Sequence, residues 1–370
     1  MTRGSGRRPV AFVSASGPGL VGLVLVVSLV LGWATRASAQ TPYLVKDINP
    51  VIGGPGDGYP TSRSVAVGSI LFFQGCDANR GCELWKSDGS PAGTVLVKDI
   101  FPGVVGSGPT DLTNVNGTLF FVANDGTDGV ELWKSDGTAA GTMLFKDINS
   151  GAASSSPSAL TNVNGVLFFS ANDGTNGFEL WKSDGTMAGT VLLKDINPGA
   201  GASSPSVLTN VNGALFLGAN DGMNGRELWK SDGTPGGTVL VKDINLGTPP
   251  SNPNGMTDVS GALFFSADDG TIGTELWKSD GTAGGTILVK DLYLEAASSL
   301  PQSLTIAGAR LFFSADDGAT GSELWALDLA ADLSITKTDG QPAVAPGQPL
   351  TYTIVVSNAG PFGAFRGHCQ

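Results

Sequence analysis

Residues suited to catalysis and redox chemistry are scarce in this chain. Its 370 residues contain one histidine, His368, and three cysteines, Cys76, Cys82 and Cys369. With the only histidine in the last few residues, the rest of the chain has no histidine base for a serine or cysteine nucleophile. Three cysteines are too few for a disulfide scaffold and lack the paired spacing of a zinc site. We therefore expect no catalytic residues and no metal site.

Positive charge is also in short supply, with 21 Lys and Arg against 33 Asp and Glu and a net charge of −12. Nucleic acids and anionic membrane surfaces attract proteins through Lys and Arg. Neither is therefore expected as a partner. The aliphatic and aromatic content is ample for a folded core, which argues against global disorder.

A long apolar run occurs only near the N-terminus. Three arginines precede a run of roughly 14 mostly apolar residues at 20–33, and the small residues 37–39 follow it. This order is typical of a secretory signal peptide, with cleavage after Ala39. The alternative is a transmembrane anchor, but the run is shorter than the ~20 residues that span a bilayer. We expect a bacterial protein that is secreted or held at the cell surface, with no membrane span once residues 1–39 are removed.

The most informative feature that is present is a repeat. The tripeptide Glu-Leu-Trp recurs at a constant interval of 48 residues, beginning at Glu83, Glu131, Glu179, Glu227, Glu275 and Glu323. A fixed period in this range is typical of solenoid arrays and propellers.

Each repeat contains four short predicted strands, which in the second repeat cover 112–115, 118–122, 131–134 and 142–148. They are rich in β-branched and aromatic residues and are separated by turn pairs such as Asn116-Gly117, as in antiparallel β-structure. Leu119 and Phe121 are expected on one face of their strand and Phe120 on the other. Strands that are apolar on both faces belong to sheets covered on both sides, as the blades of a propeller are.

The two ends of the array predict its closure. The sixth repeat lacks the Lys-Asp-Ile strand that ends the other repeats, whereas an extra copy occurs at 43–48, before the first Glu-Leu-Trp. A ring in which the first segment completes the last sheet accounts for both facts. We therefore predict an all-β fold, a six-bladed β-propeller of four-stranded repeats over residues 40–330 that is closed by the N-terminal strand. The alternative is an open β-solenoid with capping repeats.

The sequence changes character at Ala331. Segments 331–338 and 350–358 alternate polar and apolar residues, like the first two strands of an immunoglobulin-type β-sandwich. Two strands alone cannot bury a core. We therefore expect residues 331–370 to be a truncated fragment of such a domain.

Five copies keep nearly all of Glu-Leu-Trp-Lys-Ser-Asp-Gly-Thr, followed by Gly-Thr and Val-Lys-Asp-Ile; the sixth, at Glu323, lacks Asp-Gly-Thr. This pattern resembles the bacterial ELWxxDGT repeat family. The resemblance implies an exported, often surface-associated bacterial protein and implies no particular activity. Residues 332–361, which include Ser-Asn-Ala-Gly-Pro, resemble the start of the DUF11 domain of bacterial surface proteins.

Two sets of residues have predicted structural roles. Cys76 and Cys82 flank the turn 77–81 in the first repeat, and in an exported protein we expect a disulfide between them; two buried free thiols are the alternative. The tryptophans of the repeat motif are expected to pack between blades as a repeated core, since large aromatics at regular strand positions normally do. Stacking on sugars is the alternative for this set, which comprises Trp85, Trp133, Trp181, Trp229, Trp277 and Trp325.

The recurring polar residues have two interpretations each. The Asp-Gly pairs, such as those at Asp125 and Asp136, are expected in turns. Calcium binding by these carboxylates is the alternative, although the ligand spacing of a calcium loop is missing. Residues on the innermost strand line a central channel or bond to backbone groups there; they are Asn114, Asn162, Asn210 and Asp258.

We expect a non-enzymatic exported propeller that binds or scaffolds at the cell surface or in the extracellular matrix. Its expected partner is a surface glycan or protein, and no cofactor is expected. The alternatives are a carbohydrate-active enzyme that uses Asp and Glu, and a calcium-dependent structural module. Against the enzyme, a single active site should break the repeat in one or two blades. The visible breaks, Arg80 and Arg226, do not form such a set.

Overall fold

The computed structural model describes residues 41–49, 64–329, 333–338 and 353–358. All regular elements in these ranges are β-strands. No helix in them is long and apolar enough to cross a membrane. The predicted signal peptide, residues 1–39, lies outside the described residues.

Six antiparallel sheets of three or four strands follow one another, each made of strands that are consecutive in sequence. Sheet 1 contains β1 (Val65–Val67), β2 (Ile70–Asp77), β3 (Gly81–Ser87) and β4 (Val95–Lys98). Sheet 2 contains β5 (Thr110–Val115), β6 (Thr118–Asn124), β7 (Val130–Ser135) and β8 (Met143–Lys146). Sheet 3 contains β9 (Ser158–Val163), β10 (Val166–Asn172), β11 (Phe178–Ser183) and β12 (Val191–Lys194).

The second half repeats this arrangement. Sheet 4 contains β13 (Ser206–Val211), β14 (Ala214–Asn220), β15 (Arg226–Ser231) and β16 (Val239–Lys242). Sheet 5 contains β17 (Asn254–Val259), β18 (Ala262–Asp268), β19 (Thr274–Ser279) and β20 (Ile287–Lys290). Sheet 6 has only three strands, β21 (Gln302–Ala307), β22 (Arg310–Asp316) and β23 (Ser322–Asp328).

A tight turn sets the register between the first two strands of a sheet. In sheet 2, Asn116 (φ 52°) and Gly117 (φ 86°) form the two-residue loop after which Val115 pairs with Thr118. A type I′ turn requires positive φ at both loop positions, and Asn-Gly supplies it at least cost. The turn predicted from this pair is confirmed.

The core is divided into apolar layers, each between two consecutive sheets. Phe72 of sheet 1 shares a layer with Phe121 and Trp133 of sheet 2, whereas Phe120 belongs to the layer between sheets 2 and 3. The predicted alternation of faces along β6 is therefore confirmed. Burying one such side chain contributes about 1.5–3 kcal/mol, so each layer holds its two sheets together strongly.

The sheets stack about their first strands. Contacts run in order from β1 through β5, β9, β13 and β17 to β21. Within residues 64–329, no comparable contact joins β21 back to β1. The described sheets therefore form an ordered series with two ends.

The segment expected to complete sheet 6 differs from its prediction. Residues 41–49 form no strand, since a strand needs a hydrogen-bonded neighbour and no backbone ladder is formed along this segment. Its lysine is nevertheless placed as in the other repeats. The Lys46 Nζ donates to the Thr94 carbonyl oxygen (2.8 Å), just as Lys98 at the end of β4 donates to the Thr142 carbonyl oxygen (2.8 Å).

Beyond the repeats, strands β24 (Leu333–Thr338) and β25 (Thr353–Asn358) pair antiparallel in a two-stranded sheet, with Leu333 opposite Asn358. These strands lie within the two segments that the alternating pattern predicts. The tail from 359 to 370, with His368 and Cys369, lies outside the described residues.

Candidate functional site

The glutamate of the Glu-Leu-Trp motif is completely buried in the first five sheets. Glu131 accepts hydrogen bonds from the backbone N–H groups of Ile148 (2.9 Å) and Ser155 (2.6 Å) and from the Ser155 hydroxyl. Each glutamate thereby ties the third strand of its sheet to the connection that leads into the next sheet. The same set of bonds recurs at Glu83, Glu179, Glu227 and Glu275.

Burial dominates the ionisation of these carboxyls. Desolvation raises the pKa of Glu83, Glu131, Glu179 and Glu227 above the ordinary value, although the donated hydrogen bonds favour the charged form. A raised pKa often marks a catalytic acid, but structural networks produce it as well. Here four sites are alike and each is enclosed by its own connection, which favours a structural role.

The sixth copy of the motif has a different environment. Glu323 is exposed, and the neighbouring Leu324 is 74% exposed, whereas the equivalent Leu132 is completely buried. Glu323 precedes no Lys-Asp-Ile segment that could supply backbone donors. The face that the other sheets present to their successors is therefore uncovered in sheet 6.

The motif tryptophans lie between sheets. Trp133 is 4% exposed, and the Lys98 ammonium of the preceding sheet lies 5.9 Å from its ring centroid. Such a cation–π contact closes the ring face to a stacking sugar. Five members of the set are buried, Trp85, Trp133, Trp181, Trp229 and Trp277, and Trp325 in sheet 6 is half-buried.

The carboxylates of the Asp-Gly pairs are engaged in turns. The Asp136 Oδ1 accepts the backbone N–H (2.8 Å) and the hydroxyl (2.7 Å) of Thr138, and these bonds lower the pKa of Asp136. The Asp125 Oδ1 accepts the N–H groups of Thr127 and Asp128. In the part of the chain that is described, no group of three or more His, Cys, Asp and Glu is arranged to hold a metal.

The asparagines of the innermost strand link neighbouring sheets. The Asn162 Nδ2 donates to the Asn114 carbonyl oxygen (2.9 Å), and the Asn114 Nδ2 donates to the Ala66 carbonyl oxygen (3.0 Å). Their Oδ1 atoms accept the glycine N–H of the following Asn-Gly turn, from Gly117 and Gly165. Asn210 and Asp258 cap the equivalent turns, so backbone bonding accounts for all four.

The first sheet contains the predicted disulfide. Cys76 of β2 and Cys82 of β3 are opposite one another in the strand pair, and their sulfur atoms are bonded. Arg80, in the turn between them, forms an exposed ion pair with Asp77. The bridge closes the end of this hairpin.

A cavity of about 490 Å³ opens between sheets 5 and 6, where the connections into their first strands meet. Its polar lining comes from Asn252, Asn254, Ser266, Thr274, Gln302 and Ser303. No charged side chain lines it. Several of these polar side chains, among them Asn252 and Gln302, face the open space and take no part in the hydrogen bonds between sheets.

The equivalent space between sheets 4 and 5 is filled by a side chain. Arg226, at the position of Thr274, donates to the Ser206 hydroxyl and to the Pro253 carbonyl oxygen (3.5 Å). A Cβ atom on Gly218 would lie 2.6 Å from the guanidinium, so glycine is needed beside this arginine. Ser266 replaces that glycine in sheet 5, and the smaller Thr274 leaves the space open.

Two features of the site follow from tertiary structure that the repeat alone does not predict. The donors to Glu131 come from residues 17 and 24 positions later, a separation with no local signature. Arg226 is recognisable in the sequence as a break in the repeat. Its structural role, filling the space between sheets 4 and 5, is evident only from the structure. Thr274 is too small to fill the space, but Val130 occupies the same repeat position in sheet 2, so residue size alone does not mark the cavity.

Comparison with known proteins identifies no family: no protein-family model matches the chain, and no curated protein matches it. Among solved structures, the chain is similar to the computationally designed Ika8 protein (18% identity, TM-score 0.43), over 72% of this chain and 70% of that one. A puromycin hydrolase (19%, 0.44) aligns with 74% of this chain, which spans only 44% of the hydrolase. Polysaccharide lyase Uly1 (14%, 0.37) aligns over 73% and 78%. At these values the alignments support no conclusion about activity or blade number.

Proposed function

We propose that the chain is an exported, non-enzymatic six-bladed β-propeller that binds or scaffolds at the cell surface or in the extracellular matrix. One observation carries this proposal. The acidic and aromatic side chains that the repeat supplies, represented by Glu131 and Trp133, are used to join one sheet to the next. Side chains enclosed in this way are not available to a substrate, whereas the rigid series that they create suits the display of a binding surface.

Closure of the six sheets into a ring is part of the proposal. Lys46 bonds to sheet 1 as Lys98 bonds to sheet 2, so its segment lies where the last strand of a preceding sheet would lie. Sheet 6 lacks that strand and leaves Glu323 exposed. In the proposed ring, the Ile48 N–H bonds to Glu323 as the Ile148 N–H bonds to Glu131.

Export is supported by the signal-peptide pattern in residues 1–39 and by the disulfide between Cys76 and Cys82, because disulfides persist mainly in oxidising compartments. For an exported protein, the proposed partner is a surface glycan or protein. The acidic chain disfavours nucleic acid and anionic lipid.

The test is a binding measurement on the chain from residue 40 onward. Isolated bacterial surface polysaccharides and matrix proteins are immobilised, and saturable binding is measured together with the release of soluble products from each polysaccharide. We expect saturable binding to at least one component and no product release. Absence of binding to every component, or turnover of a polysaccharide, contradicts the proposal.

A further inference from the structure

The cavity between sheets 5 and 6 is one of the places where the repeated structure differs from sheet to sheet. Resting on the proposed binding function, we infer that this cavity is a binding site for a neutral saccharide of one or two sugar rings. A volume of about 490 Å³ is within the range of roughly 300–1,000 Å³ that is usual for small-ligand pockets.

The cavity results from residue substitutions at defined positions of the repeat, within an interface that is otherwise packed. Pro253 and Pro301 occupy equivalent connections, and the layer between sheets 5 and 6 still buries Phe264, Leu276 and Phe313. The residues that fill the space differ: Thr274 stands where sheet 4 has Arg226, and Ser266 stands where it has Gly218. The walls of the cavity therefore rest on a buried apolar layer, as they do in the interface between sheets 4 and 5.

The lining has the hydrogen-bonding capacity that sugar hydroxyls need. The side chains of Asn252, Gln302 and Ser303 are exposed and form no hydrogen bond with any described residue. Each amide presents donors and an acceptor, and each hydroxyl presents both, which matches the dual character of a sugar hydroxyl. The Ser266 hydroxyl, in contrast, is already bound to the Asn254 carbonyl oxygen (3.3 Å) and forms part of the wall.

The absence of charged side chains from the cavity lining, and an apolar side chain beside the polar ones, favour a neutral ligand with an apolar face. A charged ligand placed in the cavity would lack a counter-charge there, which makes its desolvation unfavourable. Leu300 lines the same cavity with a side chain that is 55% exposed, and its backbone is in the left-handed region (φ 49°). An apolar contact of this kind fits the C–H face of a sugar ring, whereas a purely polar ion would gain nothing from it.

The decisive variant is Ser266→Gly/Thr274→Arg, which copies the arginine and glycine of the preceding interface into the cavity. The folding risk is small because the same pair packs well in sheet 4. Binding of neutral hexoses, N-acetylhexosamines and their disaccharides is measured by ligand-observed NMR on the chain from residue 40. We expect binding to the native chain and at least about tenfold weaker binding to the double variant, because the site is filled.

Thr175→Arg is the matched control, since it adds the same charge in an exposed turn of sheet 3, and it should bind as the native chain does. A second variant, Gln302→Ala, should weaken binding without adding charge. Equal binding by the native chain and the double variant overturns the inference, as does the lack of any saccharide signal with the native chain. In either case the proposed function still holds if the native chain and the double variant bind a surface component equally well.

Discussion

Glu131 shows how a carboxylate is accommodated between two sheets. A buried carboxylate without partners is strongly unfavourable, and Glu131 avoids this by accepting bonds from Ile148 and Ser155. The bonds run to the connection that enters the next sheet, so a single side chain fixes the path of that connection. This explains the acidic residue before the apolar Leu-Trp pair in the first five repeats, where the glutamate is buried.

Glu131→Ala is expected to destabilise the chain on the order of 3 kcal/mol, because it leaves buried N–H donors of Ile148 and Ser155 without partners. The free energy of unfolding is measured by urea titration. Glu295→Ala provides the control, since Glu295 is exposed in a connection, and it should change stability by less than about 0.5 kcal/mol. Equal effects of the two substitutions would show that the buried bonds contribute nothing.

Two sets of carboxyls give stability opposite dependences on pH. The turn aspartates have pKa values below 3.8, so their contribution is complete above that value and is lost as the pH falls through the lowered pKa values; they are Asp88, Asp136, Asp184, Asp232 and Asp280. The buried glutamates have pKa values above 4.5, so their contribution is lost as the pH rises from 4.5 to the raised pKa. Stability is therefore expected to be highest at about pH 4–5.

Urea unfolding between pH 3 and pH 8 measures this profile. Asp136→Asn should make the loss on the acid side shallower, and Glu131→Gln should do the same on the alkaline side, since each removes one titrating group. A stability that increases steadily from pH 5 to pH 8 would contradict the assignment of the glutamates.

At the scale of the strand, the local sequence pattern predicts the features that depend only on neighbouring residues. The hairpin turn at Asn116-Gly117 and the alternating faces of β6 need no information from distant residues. The first strand of each of sheets 2 to 6 is different. Its register shifts at positions such as Ala159 and Val207, which have φ values of 56° and 55°. This conformation costs roughly 1–2 kcal/mol for a residue with a side chain, so packing between sheets imposes it. Only in sheet 5 is the equivalent residue a glycine, Gly255.

The hairpin of β2 and β3 carries a prediction of its own. Replacing both bridged cysteines, Cys76→Ser/Cys82→Ser, should lower the free energy of unfolding by about 2 kcal/mol, because the bridge restricts a short loop in the unfolded chain. Chemical denaturation under oxidising conditions measures the difference. Cys369→Ser is the control and should leave stability unchanged. A double variant as stable as the native chain would show that the bridge is dispensable.

At the scale of the whole molecule, the repeat period predicts the number of sheets, and the stacking order follows from faces that are apolar on both sides. The relation between the two ends depends on curvature summed over six interfaces, which no local pattern encodes. For this reason the extra Lys-Asp-Ile copy predicts a partner for sheet 6, while the described residues 41–49 show only its bond to sheet 1.

Glu323→Ala tests closure directly. In the proposed ring, Glu323 has the same donors as Glu131, and its loss is expected to destabilise the chain on the order of 3 kcal/mol. Ile48→Pro, which removes the N–H donor, should have a comparable effect in the same urea titration. If both variants unfold like the native chain, the ring is wrong and the sheets remain an open series.

The glutamate and lysine bonds between sheets all point the same way along the chain. Each interface joins two different surfaces, a front and a back, so the assembly is a head-to-tail one with a built-in direction. Such an assembly has no natural stopping point, because every added unit exposes the same front that the previous unit exposed. In the proposed ring it ends where the last front meets the first back, so the number of repeats becomes a geometric requirement rather than a matter of chain length.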